Sequence, residues 1–260
     1  MRQITIEGTD LKTSKIGFGT ASLHHIRSSS KRISILKTAL NSGITHFDTA
    51  RLYGNGIAEK ELGKFISNIN RDDITVSTKV GFHLSYFEKF FPMTSILWRK
   101  IRNILFKKKI SHSVNYSINF CEESFNDSLK NLKIDSVDIL FVHEPRLGDF
   151  NSIEKLIPWL KQQKSLGKTK FLGVAGEDLD STEIFKFCPG VFDVVQTRNI
   201  KSNLYLDIQI QPQIFYGYFS NIFDSKDDAL RTNKIIDQNN SMILYSSRNE
   251  QRIREFCLNY

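Results

Sequence analysis

The stretch HFDTARLYGNG, residues 46–56, places a carboxylate at the end of a strand-like run and a phenol five residues later, beside glycines. A solvated turn acid is the plain explanation of Asp48; a catalytic pair is the other. Two more strand-like runs end in the same way, ITVST leading into Lys79 and VDILFV into His143. A phenol has a pKa of about 10 in water and is a poor proton donor at neutral pH. A lysine ammonium against the phenol oxygen favours the phenolate and lowers that pKa. An aspartate paired with the lysine keeps it charged and in place, and a histidine alongside can hydrogen-bond a substrate oxygen. Together Asp48, Tyr53, Lys79 and His143 would make a general acid next to an oriented carbonyl, an effect of about 100- to 10,000-fold. No side chain supplies a hydride, so the set implies a cofactor. Taken singly, Tyr53 could cover a sheet edge and His143 could be a satisfied core histidine.

For the four to meet, the fold must bring several strand ends to one rim. The opening residues alternate and turn at Gly8, which reads as a hairpin, and KIGFGT follows as a short strand. A helix is predicted from the serines at 28–30 to a stop at Gly43, then the strand ITHFD, then a helix with Leu62, Phe65 and Ile66 on one face. ITVSTKVG is the next strand. After an interruption the alternation returns with CEESFNDSLKNLKI, VDILFVH, SIEKLIPWLKQQKSLG, KFLGVA, STEIFKFC and FDVVQT. QIFYGY, a helix over 227–240, MILYS and a last helix in NEQRIREFCLNY close the chain. About eight strand–helix units in 260 residues predict one α/β domain over 1–260, a (β/α)8 barrel with its site at the carboxyl ends of the strands. An open doubly wound sheet would carry a glycine-rich phosphate loop after its first strand. Gly17-Phe18-Gly19 lacks the third glycine. Two irregularities stand out: a long insertion over 81–118 after the third barrel strand, and a shortened sixth crossover over 197–212.

Composition narrows the classes. Three widely spaced cysteines without a CxxC pair argue against a disulfide framework or a zinc site, and point to a reducing, cytoplasmic setting. No apolar run is long enough for a membrane span, and MRQITIEGTD is no signal segment. The net charge of +8 is mostly local, because RKIRNILFKKK (99–109) holds six basic residues and no acidic one. Basicity confined to one patch does not classify the whole protein, and the absence of a recognised nucleic-acid motif argues against a nucleic-acid partner.

At GITHFDTARLYGNGIAEKELGK, STKVG and SFNDSLKNLKIDSVDILFVHEP the sequence resembles the aldo-keto reductase family. The resemblance implies a (β/α)8 barrel that binds a nicotinamide cofactor, usually NADPH, with Asp48, Tyr53, Lys79 and His143 as catalytic tetrad. It also implies cofactor contacts at Gly19 and Thr20, and at Ser246, Ser247 and Arg248 before the last helix. There, free N–H groups and the helix dipole suit a phosphate. In the family a Ser and an Arg five residues later hold the adenosine 2′-phosphate and a Glu three further meets adenine. Ser247, Arg252 and Glu255 match that spacing, whose bland alternative is a capped, solvated helix. Departures also show. Ala175 and Gly176 stand where the family often has Ser-Asn for the carboxamide, so Gln196 or backbone must do that work. Phe215 or Tyr216 would lie under the nicotinamide, and Phe256 replaces an Asn that binds adenine in relatives.

The insertion YFEKFFPMTSILWRKIRNILFKKKI (86–110) has an amphipathic, basic pattern. It reads as a substrate lid for acidic groups, as a weak contact with an anionic membrane surface through 96–109, or as a packed helix with a solvated face. The expected function is an NADPH-dependent oxidoreductase acting on an aldehyde, ketone or sugar carbonyl. The alternative is a nucleotide-binding barrel with a regulatory or assembly role.

Overall fold

A computed structural model of the protein describes residues 1–82, 114–198, 212–217 and 241–259. The amphipathic helix expected within 86–110, residues 199–211 of the sixth crossover, and the helix expected over 227–240 lie outside them.

The first 14 residues form the predicted hairpin, β1 (Gln3–Thr5) antiparallel to β2 (Lys12–Ser14), with Gly8 at a positive φ of 79° in its turn. Eight parallel strands follow: β3 (Ile16–Gly19), β4 (His46–Asp48), β5 (Thr75–Val80), β6 (Val137–His143), β7 (Thr169–Gly176), β8 (Val194–Thr197), β9 (Ile214–Phe215) and β10 (Met242–Tyr245). β10 pairs with both β9 and β3, so the sheet closes into a barrel in chain order. The described helices are α1 (Ser29–Asn41), α2 (Ile57–Ile66), α3 (Ile118–Leu132), α4 (Phe150–Ser165), α5 (Asp178–Phe187) and α6 (Glu250–Cys257). No described helix is long and apolar enough to cross a membrane. All three cysteines are free and buried.

Period-2 alternation sorts each strand. Outward residues such as Phe18, Phe47, Val76, Leu140, Val142 and Ile243 pack under the helices in the main core. Inward ones such as Ile139, Phe141, Val194, Ile214 and Met242 form a second cluster, which the hairpin's Ile4, Ile6 and Leu11 complete. The hairpin therefore closes one end of the barrel. Inward small residues make room for large neighbours: a methyl at Gly173 would overlap the Phe141 ring, and one at Gly17 would sit 2.7 Å from Leu244 Cδ2.

The insertion begins and ends at one place. Phe82 and Val114 form a lone antiparallel bridge, and Asn115 N–H donates to Gly81 O at 2.7 Å. Three short 3₁₀ segments, at Thr20–His25, Arg71–Asp73 and Leu147–Asp149, had no signal in the hydrophobic pattern, because each is too short to show a period.

α2 and α3 meet backbone to backbone at Gly63, where a methyl would overlap the Asn131 carbonyl oxygen and lie 2.9 Å from Leu132 Cα. In an open helix Gly→Ala stabilises by up to ~1 kcal/mol. Here the overlap is with backbone, so Gly63→Ala will lower stability by about 1–3 kcal/mol in urea unfolding. An unchanged or raised midpoint would show that the two helices separate freely.

Candidate active site

β4 turns His46 and Asp48 inward and Phe47 outward, which leaves a carboxylate buried at the carboxyl end of the barrel. A buried charge needs a partner, and β5 supplies it. Asp48 pairs with Ser77 in the strand register, and Lys79 points inward two residues further on. Lys79 Nζ lies 2.6 and 2.7 Å from the two Asp48 oxygens and 2.9 Å from Thr49 O. Ser77 Oγ donates to Asp48 Oδ1 at 2.8 Å, and Gln196 Nε2 from β8 donates to the same oxygen at 3.2 Å. Burial pushes the Lys79 amine below the ordinary lysine range, against the opposing charge and hydrogen bond of Asp48.

Tyr53 reaches the rim from the loop between β4 and α2. That loop reverses through three consecutive left-handed residues, Gly54 (φ 61°), Asn55 (φ 55°) and Gly56 (φ 86°). A methyl at Gly54 would overlap His24 Cβ, so that glycine is required twice over, whereas at Gly56 the overlap is with the movable Arg51 guanidinium and the positive φ is what favours glycine. Tyr53 N donates to Ala50 O at 3.0 Å, and Ala58 N to Tyr53 O at 3.2 Å. Its ring meets His143 edge-on, with centroids 6.3 Å apart, and lies 5.2 Å from the Lys79 ammonium. Phe82 packs on His143 at 4.8 Å, and Tyr116 OH donates to His143 O at 2.8 Å. The four residues named from the sequence thus share one rim.

One expectation is corrected. The ammonium was expected to draw the phenol's pKa down. Instead, burial first, and then the charge of Asp48, hold the Tyr53 phenol well above its usual range. The reason is geometric: the three acceptors around Lys79 Nζ are Asp48 Oδ1, Asp48 Oδ2 and Thr49 O, and among the described residues no hydrogen bond joins it to Tyr53. Tyr53 is a neutral phenol that keeps its proton.

The remaining residues divide. Gly19 ends β3 beside Asp48, and a methyl there would meet nothing nearer than Tyr245 O at 3.8 Å, so packing does not demand a glycine. Thr20 Oγ1 donates to Asp48 O at 3.0 Å and holds the end of β4. Gln196 is buried; its amide nitrogen must face the Asp48 carboxylate, and among the described residues its Oε1 has no hydrogen-bond partner. Ala175 pairs with Gln196 across β7 and β8. Of Phe215 and Tyr216, Tyr216 packs on the inward cluster, and its hydroxyl donates to Glu144 Oε1 at 3.4 Å.

At the last strand end, Ser246 Oγ lies 2.8 Å from Ser22 Oγ, a contact across 224 positions. Ser247 Oγ accepts from Asn249 N at 3.2 Å. The free N–H groups expected at the start of α6 are capped: Asn249 Oδ1 accepts from Gln251 N at 2.9 Å and from Arg252 N at 3.2 Å. Arg248 and Arg252 are exposed, while Glu255 accepts from Gln251 Nε2 at 2.7 Å. Phe256 stacks flat on Tyr245, with centroids 4.1 Å apart.

The sequence reading passed over His46, Ser77 and Glu144. Glu144 follows His143 at a φ of 52°, its N–H bonded to Ala175 O at 2.6 Å. Burial and the nearby Glu177 charge raise its carboxyl, partly offset by the Tyr216 hydroxyl. His46 and Ser77 had a visible signal: each sits two residues before Asp48 or Lys79, hence on the same inward face.

Comparison with known proteins agrees with the geometry. The sequence model of the Aldo/keto reductase family matches residues 15–208. L-galactose dehydrogenase of Arabidopsis thaliana is 31% identical over 198 residues, 72% of this chain and 53% of that protein. The NADH-specific methylglyoxal reductase of Escherichia coli is 26% identical over 76% of this chain and 59% of its own length. The chain spans about half the length of the curated relatives it matches. An aldo-keto reductase from Klebsiella pneumoniae, solved in complex with NADPH, superposes with a TM-score of 0.73 at 15% identity, covering 100% of this chain and 90% of that one.

Burial pushes the His46 imidazole down to about 4, against the opposing pull of Asp48 and Asp138. The unfolded chain therefore binds an extra proton at His46 between about pH 6.5 and pH 4, and stability falls as pH drops through that window. Relative to His46→Gln, which cannot titrate, the wild type will lose on the order of 3 kcal/mol over it. Parallel stability–pH curves for the two proteins would show that His46 takes up its proton while folded.

Proposed function

Because the chain belongs to the aldo/keto reductase family, we propose that it is an NADPH-dependent oxidoreductase acting on the carbonyl of an aldehyde, ketone or sugar, with Tyr53 as its general acid and base. The observation that carries this reading is the gathering of Tyr53, His143 and the Asp48–Lys79 ion pair on one barrel rim. The names of the relatives, an L-galactose dehydrogenase and a methylglyoxal reductase, support a small carbonyl or sugar as substrate class.

The residues present fit a nicotinamide dinucleotide. Gln196 Oε1 is a buried acceptor in want of a donor, which a carboxamide N–H would satisfy. Exposed Arg248 and Arg252, beside Ser247, offer cationic donors for a 2′-phosphate. Since Asn249 caps two N–H groups of α6, the phosphate grip falls to side chains rather than to the helix end. The bound cofactor would supply or accept the hydride.

The chain's own part is proton transfer and orientation. A neutral Tyr53 can deliver its proton to a carbonyl oxygen during reduction, and take one from an alcohol in the reverse direction. His143 orients that oxygen by hydrogen bonding. The Lys79 ammonium, held by Asp48, stabilises the negative charge left on the Tyr53 oxygen after transfer. A second reading, a nucleotide-binding barrel with a regulatory or assembly role, draws on one observation, Ala175 and Gly176 standing where the family often has Ser-Asn for the nicotinamide amide. NADPH oxidation with a panel of aldehydes, ketones and sugars separates the two. Cofactor binding without turnover on any of them favours the second.

Tyr53→Phe will lower kcat by about 100- to 10,000-fold and leave the Kd for NADPH within about twofold. Unchanged turnover would remove Tyr53 as the proton donor. Arg252→Ala will raise the Kd for NADPH about tenfold, roughly one charge-assisted hydrogen bond, and leave the NADH value nearly constant by fluorescence titration. An equal change for both cofactors would place Arg252 away from the 2′-phosphate.

A further inference from the structure

Asp48 is one end of a hydrogen-bonded column that crosses the barrel interior. At the other end is the closing hairpin, where Ser14 N–H donates to Thr45 Oγ1 at 2.8 Å. From Thr45 the column runs to Thr13 Oγ1 (3.2 Å), Thr75 Oγ1 (3.1 Å) and His46 Nδ1 (2.8 Å). It continues from His46 Nε2 to Ser77 Oγ (3.2 Å) and from there to Asp48 Oδ1 (2.8 Å).

Both ends have one possible role. A backbone N–H only donates, and a carboxylate only accepts. Each hydroxyl carries one proton, so every link between them takes a single direction. Ser77 gives its proton to Asp48 and can only accept from His46, so His46 carries its proton on Nε2. Burial keeps the ring neutral, so Nδ1 accepts and Thr75 donates to it. Thr13 must then donate to Thr75, and Thr45 to Thr13. The competing bond from Thr75 Oγ1 to Thr45 O is 3.5 Å long, against 2.8 Å to His46. Space for the imidazole comes from Gly17, where a methyl would lie 3.1 Å from His46 Cδ2.

We propose that His46, as its neutral Nε2–H tautomer, is a positioning residue that aims the Ser77 hydroxyl at Asp48 and so fixes the Lys79 ammonium beside Tyr53. The catalytic part of this rests on the function proposed above; the polarity of the column does not. Aligned hydrogen bonds strengthen one another in a low-dielectric interior, and here all of them point at the carboxylate that holds Lys79. The charged groups facing His46 are Asp48 on its own strand, Lys79 on β5 and Asp138 on β6.

The first test reads the imidazole alone. Nitrogen-15 spectra of the full chain, with His46 assigned by His46→Gln, should show a neutral ring protonated at Nε2 at pH 7. A proton on Nδ1, or an imidazolium at pH 7, overturns the proposal. The second test is kinetic. Ser77→Ala and His46→Leu should each lower kcat about tenfold, with KM and NADPH affinity nearly unchanged. In both, the alkaline limb of kcat should move to lower pH, because Lys79 loses carboxylate support against its burial. The double variant should be no worse than either single one, and His46→Gln, whose amide can donate to Ser77, should recover most of the loss. Additive losses, or a Gln variant as impaired as the Leu variant, overturn the proposal. A wild-type chain that turns over no carbonyl refutes the proposed function instead, and leaves the column to the imidazole spectrum.

Discussion

The arrangement depends on one buried ion pair. Asp48 and Lys79 are both almost fully buried, on adjacent strands. Taking two charges out of water is costly, and removing one partner from such a pair typically destabilises by about 3–5 kcal/mol. The surroundings compensate with further hydrogen bonds to both members of the pair. Ser77 and Gln196 donate to the carboxylate, and the third acceptor for the ammonium is the Thr49 carbonyl. The pair also constrains the barrel. It requires Asp48 opposite Ser77 in the β4–β5 register, and a one-residue slip of either strand would turn that strand's charge out into the apolar layer under the helices and leave the other buried without its partner.

The same alternation explains what the sequence disclosed. Asp48, Lys79 and His143 are ionisable groups at or next to the ends of strands, so each stood out, and the strand count suggested closure. His46 and Ser77 lie on the same inward faces but carry meaning only once β4 and β5 are in register, because each needs the other's strand to complete its hydrogen bonds. Register is a tertiary quantity that no local pattern encodes. The contact of Ser22 with Ser246 is of the same kind. At α6 two of the N–H groups expected to be free at the helix start are closed by Asn249, whose side chain accepts from Gln251 N and Arg252 N. Phe256, a departure from the family's adenine-binding Asn, became intelligible when its ring was seen flat on Tyr245.

The acidity of Tyr53 links the ion pair to the proposed chemistry. A phenol lowered toward neutrality would be partly ionised and would bring a second anion close to Asp48. Burial and the Asp48 charge do the opposite and keep the proton on Tyr53. The phenol is then a weak acid until charge develops on a carbonyl oxygen beside it. In the proposed reaction its neighbours then change sign in effect: the Lys79 ammonium, 5.2 Å from the ring centroid, would stabilise the phenolate that forms. Catalysis needs groups aimed at charge that appears only in the transition state, since equal support of the resting state brings no acceleration. A lysine bound to Asp48, and not to the phenol, meets that requirement. Its position is set by hydrogen bonds that exist before substrate arrives, so stabilising the phenolate requires no reorganisation around it. The hairpin that closes the far end of the barrel therefore bears on the acid at the near end, through a column in which each donor has one possible direction.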